Sequence, residues 1–208
     1  MDWTEVQPAS SKVLPKEAQG DSDPEVLYAN VGRALSYWEF LQFSLAFLFT
    51  ACSGAAFPYP IMRAFGQSML VTAKLDMILY AAEASLAHHK GLLDRVTDFV
   101  KSVRGYNDRR NDIAHGVVQI FAPSSHYLLP TAGTSRKYPV YDGTEFPLPN
   151  YCWNAAQINR YAKAFQKLNG ECGALTQDVN GAIENAALAL FRERMLGASP
   201  DKPSSTEG

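Results

Sequence analysis

The sequence predicts an all-α fold, an antiparallel bundle of four or five helices with a small β-hairpin insertion. Three observations predict it. Apolar residues recur at steps of three and four along most of the chain, the period of a helix that buries one face. Only residues 117–150 depart from that pattern, with short β-branched and aromatic runs separated by turn residues. The flanks, 1–24 and 197–208, are polar and rich in Pro, Ser and Gly, and are expected to be disordered tails around one unit over 25–196.

Bulk properties narrow the classes. A chain of 208 residues with 47% apolar content can build one sizeable core. Its net charge of −2 offers no global attraction to nucleic acid or anionic membranes. Cys52, Cys152 and Cys172 are far apart and form no CxxC, which fits a reduced, cytoplasmic chain without a disulfide framework or zinc site. The acidic N-terminal stretch lacks the basic and apolar regions of a secretory leader. Residues 40–62 carry no charge, but Gln42, Gly54, Pro58 and Pro60 interrupt them, so a buried helix is expected there and no membrane span.

The first helix is expected over Glu25–Ala51. Its seam is Leu27, Val31, Ala34, Trp38, Leu41, Leu45, Leu48 and Cys52. A second row, Phe40, Phe43 and Phe47, implies either a thick core or contact with a second protomer. A second helix is expected over Met62–His89, bent at Gly66, with Lys90-Gly91 as its stop. His88 and His89 there suit the helix dipole better than a metal, because adjacent side chains point to different faces. The third helix spans Leu92–Ala114 on the seam Val96, Phe99, Val103, Tyr106, Arg110 and Ile113. Next, VVQIFA, HYLLP and KYPVY read as strand-like pieces. A fourth helix then ends at Gly170, and Leu175, Val179, Ile183, Ala186 and Leu190 define a fifth. Neither GxGxxG nor a phosphate-binding P-loop is present.

The stretch RRNDIAHG, residues 109–116, closes the third helix. Arg110 falls where the seam requires an apolar side chain, so it must reach an anion, a carboxylate or a polar cleft. Asn111 and His115, four apart, share a face. Arg110 lies about 140° from His115 on an ideal helix, an angle a long side chain can span. Gly116 would let the chain turn sharply. A cationic cluster at a helix C-terminus is ordinary dipole complementation. It is also a workable site for phosphoryl transfer on RNA. Imidazole can move a proton to or from a hydroxyl, and a guanidinium fork matches a phosphate. Without metal ligands, the nucleophile would be the RNA's own 2′-hydroxyl, giving a 2′,3′-cyclic phosphate.

RRNDIAHG resembles the signature of the HEPN superfamily, an arginine, a polar residue, a short spacer and a histidine at the end of the third helix of an α-bundle. Arg110 and His115 fit its four-residue spacer, Arg109 the five-residue form, and Asn111 the polar position. Gly32-Arg33-Ala34-Leu35 followed by Trp38-Glu39 is similar to the first helix of HEPN-like bacterial families. The likeness covers residues 25–195. It implies a homodimer whose two motifs share one cleft, and a metal-independent endoribonuclease of toxin–antitoxin or phage-defence systems, with no cofactor and with an antitoxin or other protein as partner. Other members are non-catalytic interaction modules. On this resemblance Arg110 and His115 are catalytic, and Asn111, Arg109 and Glu39 form the supporting polar network. Lys101, Arg104, Arg136 and Lys137 are candidate RNA contacts. Tyr127, Tyr138 and Tyr141 could stack bases, or pack on the bundle. The insertion at 117–150 is long for a minimal member.

Overall fold

A computed structural model of the chain describes residues 20–55, 57–68, 70–122, 125–130 and 151–197. Five helices and one two-stranded sheet follow in the order α1 (Pro24–Cys52), α2 (Pro58–Gly66), α3 (Val71–Ser85), α4 (Lys90–His115), β1 (Gly116–Ala122), β2 (Ser125–Pro130) and α5 (Ala155–Gly197).

Helix α1 starts where local chemistry dictates. The Asp23 carboxylate accepts from the Glu25 amide at 2.9 Å, and Pro24 sits in the first turn, where no amide donor is needed. It ends through Ser53 and Gly54, whose φ of 60° is the left-handed cap that glycine adopts without strain. All of the expected seam is buried except Val31, which is partly so. Trp38 is fully buried and meets the Phe165 ring edge-on at 5.0 Å.

Several boundaries differ from the sequence pattern. The helix expected over Met62–His89 is two helices. Pro58 opens α2, and the bend anticipated at Gly66 is a full break before α3. Lys90-Gly91 starts α4 rather than stopping α3, which ends at Ser85 and is capped at Leu86. His89 is therefore the N-cap residue of α4, not a cation at a C-terminus. The fourth and fifth helices are one helix, α5. Leu168, Cys172, Leu175 and Val179 keep one buried seam running through Gly170, so tertiary burial outweighs the glycine's low propensity.

Helix α4 runs antiparallel to α5, with Arg95 at Asp178 and Tyr106 at Phe165. Helices α1 and α5, in contrast, run side by side in the same direction. Asp21 meets Ala155, Trp38 meets Phe165, Ser44 meets Asn169, and Gly54 lies near Ile183. The cause is the sheet. Strands β1 and β2 pair antiparallel at the end where α4 stops, and Trp153 bridges Leu128 there, so α5 must begin at that same end.

Gly20–Asp23, expected in the N-terminal tail, belong to the fold. Asp21 bridges His126, and its carboxylate accepts from the first amide of α5. The strand-like piece KYPVY and residues 198–208 lie outside the described residues.

Cys52, Cys152 and Cys172 are free, buried thiols. Burial pushes each of them up to about 12 from an ordinary 9.0. The unfolded chain ionises these groups above pH 9 while the folded chain keeps them protonated. Their stabilising contribution is thus whole below pH 9 and lost as pH rises toward 12. Urea-unfolding midpoints should fall steadily over that window, and thiol alkylation of the native protein at pH 8 should be slow.

Candidate active site

The motif forms the last turn of α4 and the first residue of β1. Arg110 occupies the inward seam position, yet its side chain is 28% exposed because it leans to the edge of α1. There Nη2 donates to Glu39 Oε1 at 3.4 Å, and Nη1 donates to Asn111 Oδ1 at 3.2 Å. Of the three partners left open by the sequence, Arg110 has therefore taken a carboxylate. Glu39 itself is 66% exposed, so water screens the pair and its net stabilisation is small, well under about 1 kcal/mol. Among the described residues, Arg110 Nε is buried and has no hydrogen-bond partner, and the same holds for Asn107 Oδ1 one turn earlier.

Glu39, Arg110 and Asn111 are thus brought together as expected. His115, the last residue of α4, is exposed. The hydrogen bonds described for Arg110 go to Asn111 and Glu39, not to His115.

Arg109 does not join that group. It turns the other way, and its Nη1 donates to Asp112 Oδ2 at 3.1 Å. Asp112 is buried, and the Tyr151 hydroxyl donates to its backbone oxygen at 2.9 Å. Tyr151 stacks on Trp153 at 4.6 Å, and Trp153 in turn meets Tyr161 at 5.2 Å. Burial, and then the Asp112 carboxylate, raise the Tyr151 hydroxyl above its ordinary range. Burial likewise pushes Tyr161 up to about 12, opposed by Arg109 and reinforced by Asp112. Both hydroxyls therefore stay protonated at neutral pH. Asp112 and Tyr151 were missed from sequence. The three-residue spacing of Arg109 and Asp112 could have revealed the pair, but nothing local announces Tyr151.

Gly116 has a different role from the one expected. Its φ of −76° and ψ of 154° are extended, not left-handed. A Cβ there would stand 2.7 Å from Leu128 Cγ and 3.0 Å from the Asp112 carbonyl oxygen. The glycine is needed for close approach of β1 to β2 just behind the motif. Gly116→Ala should cost about 1–3 kcal/mol by overpacking, read as a lower urea midpoint at unchanged slope.

The other candidate RNA contacts are compromised or undescribed. Lys101 pairs with Asp98 at 3.1 Å and Arg104 with Asp76 at 2.7 Å. Tyr127 is buried against Leu129 and Cys152, so it packs and cannot stack a base. Arg136, Lys137, Tyr138 and Tyr141 lie outside the described residues. Among the described residues, no group of three or more His, Cys, Asp or Glu is placed to hold a metal ion. No helix among them is long and apolar enough to cross a membrane. In comparisons with known proteins, no family model, curated protein or solved structure matches the chain.

Proposed function

We propose that the chain is a metal-independent endoribonuclease of the HEPN type, with Arg110 and His115 as its catalytic residues. The observation that supports it is the state of Arg110. A guanidinium with a buried, unpartnered Nε and a single long contact to an exposed carboxylate is poised for a better acceptor. An unsatisfied buried donor costs roughly 1–3 kcal/mol, and a phosphate oxygen removes that cost. In the reaction, the 2′-hydroxyl attacks phosphorus and loses its proton, and the 5′-oxygen leaves and gains one. The exposed His115 imidazole serves one of these transfers, and Arg110 holds the charge that grows on the phosphate. Asn111 and Glu39 orient the guanidinium. The acting unit on this reading is a homodimer in the cytoplasm of a bacterium, restrained by an antitoxin or similar protein. Glu39 is flanked on α1 by the exposed Phe40, at 60%, and by Phe43, at 59%, an edge that a second copy could cover.

A second reading, a non-catalytic interaction module, draws on the Arg110–Glu39 pair as a structural contact and on the ion pairs of Arg95, Lys101 and Arg104, which neutralise the cations along α4. Incubation of the purified protein with single-stranded RNA in excess EDTA separates the two. The nuclease reading expects fragments with cyclic-phosphate ends, and a loss of about 10²–10³ in rate for Arg110→Ala. Absence of cleavage over several RNAs, or cleavage indifferent to Arg110→Ala, would replace it with the interaction module.

A further inference from the structure

The Glu39–Arg110 contact fixes a common level on α1 and α4, and a second polar layer lies one turn along from it. Helix α4 runs antiparallel to α1, since it opposes α5 while α1 follows α5. Three residues back from Arg110 along α4 is Asn107, and three residues on from Glu39 along α1 is Gln42. Helix α3 reaches the same level. It is antiparallel to α4, with Asp76 at Arg104, so its first turn stands beside Asn107. Lys74 closes that turn, and its Nζ donates to Gln42 Oε1 at 3.2 Å. Gln42, Lys74 and Asn107 thus form a layer where α1, α3 and α4 meet. The rise from the Glu39 and Arg110 level is about 4.5 Å at 1.5 Å per residue.

Lys74 is the member of this layer whose charge has no local purpose. Among the described residues, no carboxylate stands within ion-pair distance of it. Its ammonium is held by one neutral amide and, at 5.6 Å, by the face of the buried Phe65 ring. The side chain is partly buried, so the charge has exchanged water for weak partners. Helix stability does not ask for it either. A cation in the first turn opposes the α3 dipole, and no acidic residue in that turn offsets it. The neighbouring carboxylates are engaged elsewhere, Asp76 with Arg104 at 2.7 Å and Glu39 with Arg110. The cleft is left with an excess of positive charge.

Two buried polar atoms mark the same place. Among the described residues, Arg110 Nε is a donor without an acceptor, and Asn107 Oδ1 is an acceptor without a donor. Both carry a desolvation cost. An anion that also bears a hydroxyl answers all three groups. Its charged oxygens accept from Lys74 and Arg110, and its hydroxyl donates to Asn107. The sugar–phosphate backbone of RNA is such a group.

We infer that Lys74 is a phosphate-binding residue of the Arg110 cleft. A single RNA strand laid across the start of α3 places one phosphate at Arg110 and the next at Lys74, with Asn107 facing the ribose between them. The arginine fork fixes one phosphate, and the lysine follows the strand as a mobile point charge. No motif spacing announces Lys74, because it comes to the cleft from a different helix. The identity of the strand rests on the nuclease reading, whereas the anion-binding cleft does not.

The test uses the full-length chain and a fluorescent single-stranded RNA with 2′-fluoro sugars. This probe offers phosphates but no attacking hydroxyl, so binding is read apart from cleavage. Anisotropy titrations over a range of salt give the slope of log affinity against log salt. Lys74→Met keeps the apolar stem on Phe65, so its urea midpoint should hold. It should weaken binding roughly tenfold at low salt and reduce the slope by about 0.7, the value of one phosphate contact on a single strand. Lys74→Gln should reduce the slope equally, and Lys74→Arg should retain it. Lys167→Met removes an exposed cation that pairs with Glu171 on α5, and should leave the slope as it is. A lysine with a purely structural role would lower the urea midpoint and leave the slope alone. The inference is overturned by an unchanged slope in Lys74→Met and Lys74→Gln, by an equal drop in Lys167→Met, or by a wild-type chain that does not bind the probe. Cleavage of native RNA in EDTA beside an unchanged slope would overturn it while keeping the nuclease reading. A slope that depends on Lys74, without any cleavage of native RNA, would keep the cleft and remove the nuclease reading.

Discussion

On the proposed nuclease reading, replacing His115 by alanine should lower RNA cleavage by about 10²–10⁴-fold, the usual contribution of one positioned general acid or base. The same change should cost about 1 kcal/mol of stability or less, because His115 is exposed and stands outside the buried core. The two halves of this expectation have one cause. His115 is the exposed last residue of α4, while Asp112, Tyr151 and Gly116 pack in the buried layer behind it. A structural cap would behave in the opposite way, losing stability with little to lose in rate. Single-turnover cleavage in EDTA, run beside a thermal melt of the same variant, reads both quantities. A variant that cleaves as fast as wild type would remove His115 from the chemistry.

Trp38→Ala should be the most destabilising single change in the bundle, at about 3–5 kcal/mol, the usual cost of emptying a buried aromatic site. For a chain of this length, that lowers the melting midpoint by roughly 10 °C. Trp38 has no exposed surface, and its ring packs edge-on against Phe165 where α1 meets α5. Truncation opens a cavity at the longest helix–helix contact of the fold. Trp38→Phe should be far milder. The indole Nε1 is buried and has no hydrogen-bond partner among the described residues, so the ring's polar atom already carries a desolvation cost that phenylalanine avoids. A Trp38→Phe loss as large as that of Trp38→Ala would mean that the indole nitrogen has a partner after all. Urea unfolding of both variants decides it.

The core was legible in the sequence where burial is periodic. The α1 seam and the positions Val96, Phe99, Val103, Tyr106 and Ile113 on α4 are buried as their spacing required. Boundaries were legible only where a side chain closes the helix, as Asp23 does for α1. Glycine proved an ambiguous mark. Gly54 stops a helix because it adopts a positive φ, whereas Gly91 and Gly170 sit inside helices that packing holds together. Cys172 joins the seams on both sides of Gly170 into one, but its place in that row shows only when a thiol is counted as apolar. At the candidate site, the misplacement of Arg110 on an apolar seam was visible, and so was Glu39 as a partner. The division of the two arginines was not. Arg109 goes to Asp112 because β1 and the Tyr151 segment close over that side of α4, and such long-range closure leaves no local signature.

The parallel course of α1 and α5 has a consequence for how the chain acquires its shape. The two helices pack through residues far apart in sequence, with Ser44 and Asn169 separated by 125 positions and Asp21 and Ala155 by 134. Most helical proteins assemble from neighbours, and their contacts are local. Here α1 emerges from the ribosome with Trp38, Leu41 and Leu45 uncovered, and its main cover, α5, begins only at Ala155. Helices α3 and α4 can dock on it early, but the side that faces α5 waits for more than a hundred further residues. The nascent chain therefore carries an open apolar flank while those residues are made, an interval in which chaperones can hold it and misassembly competes with folding.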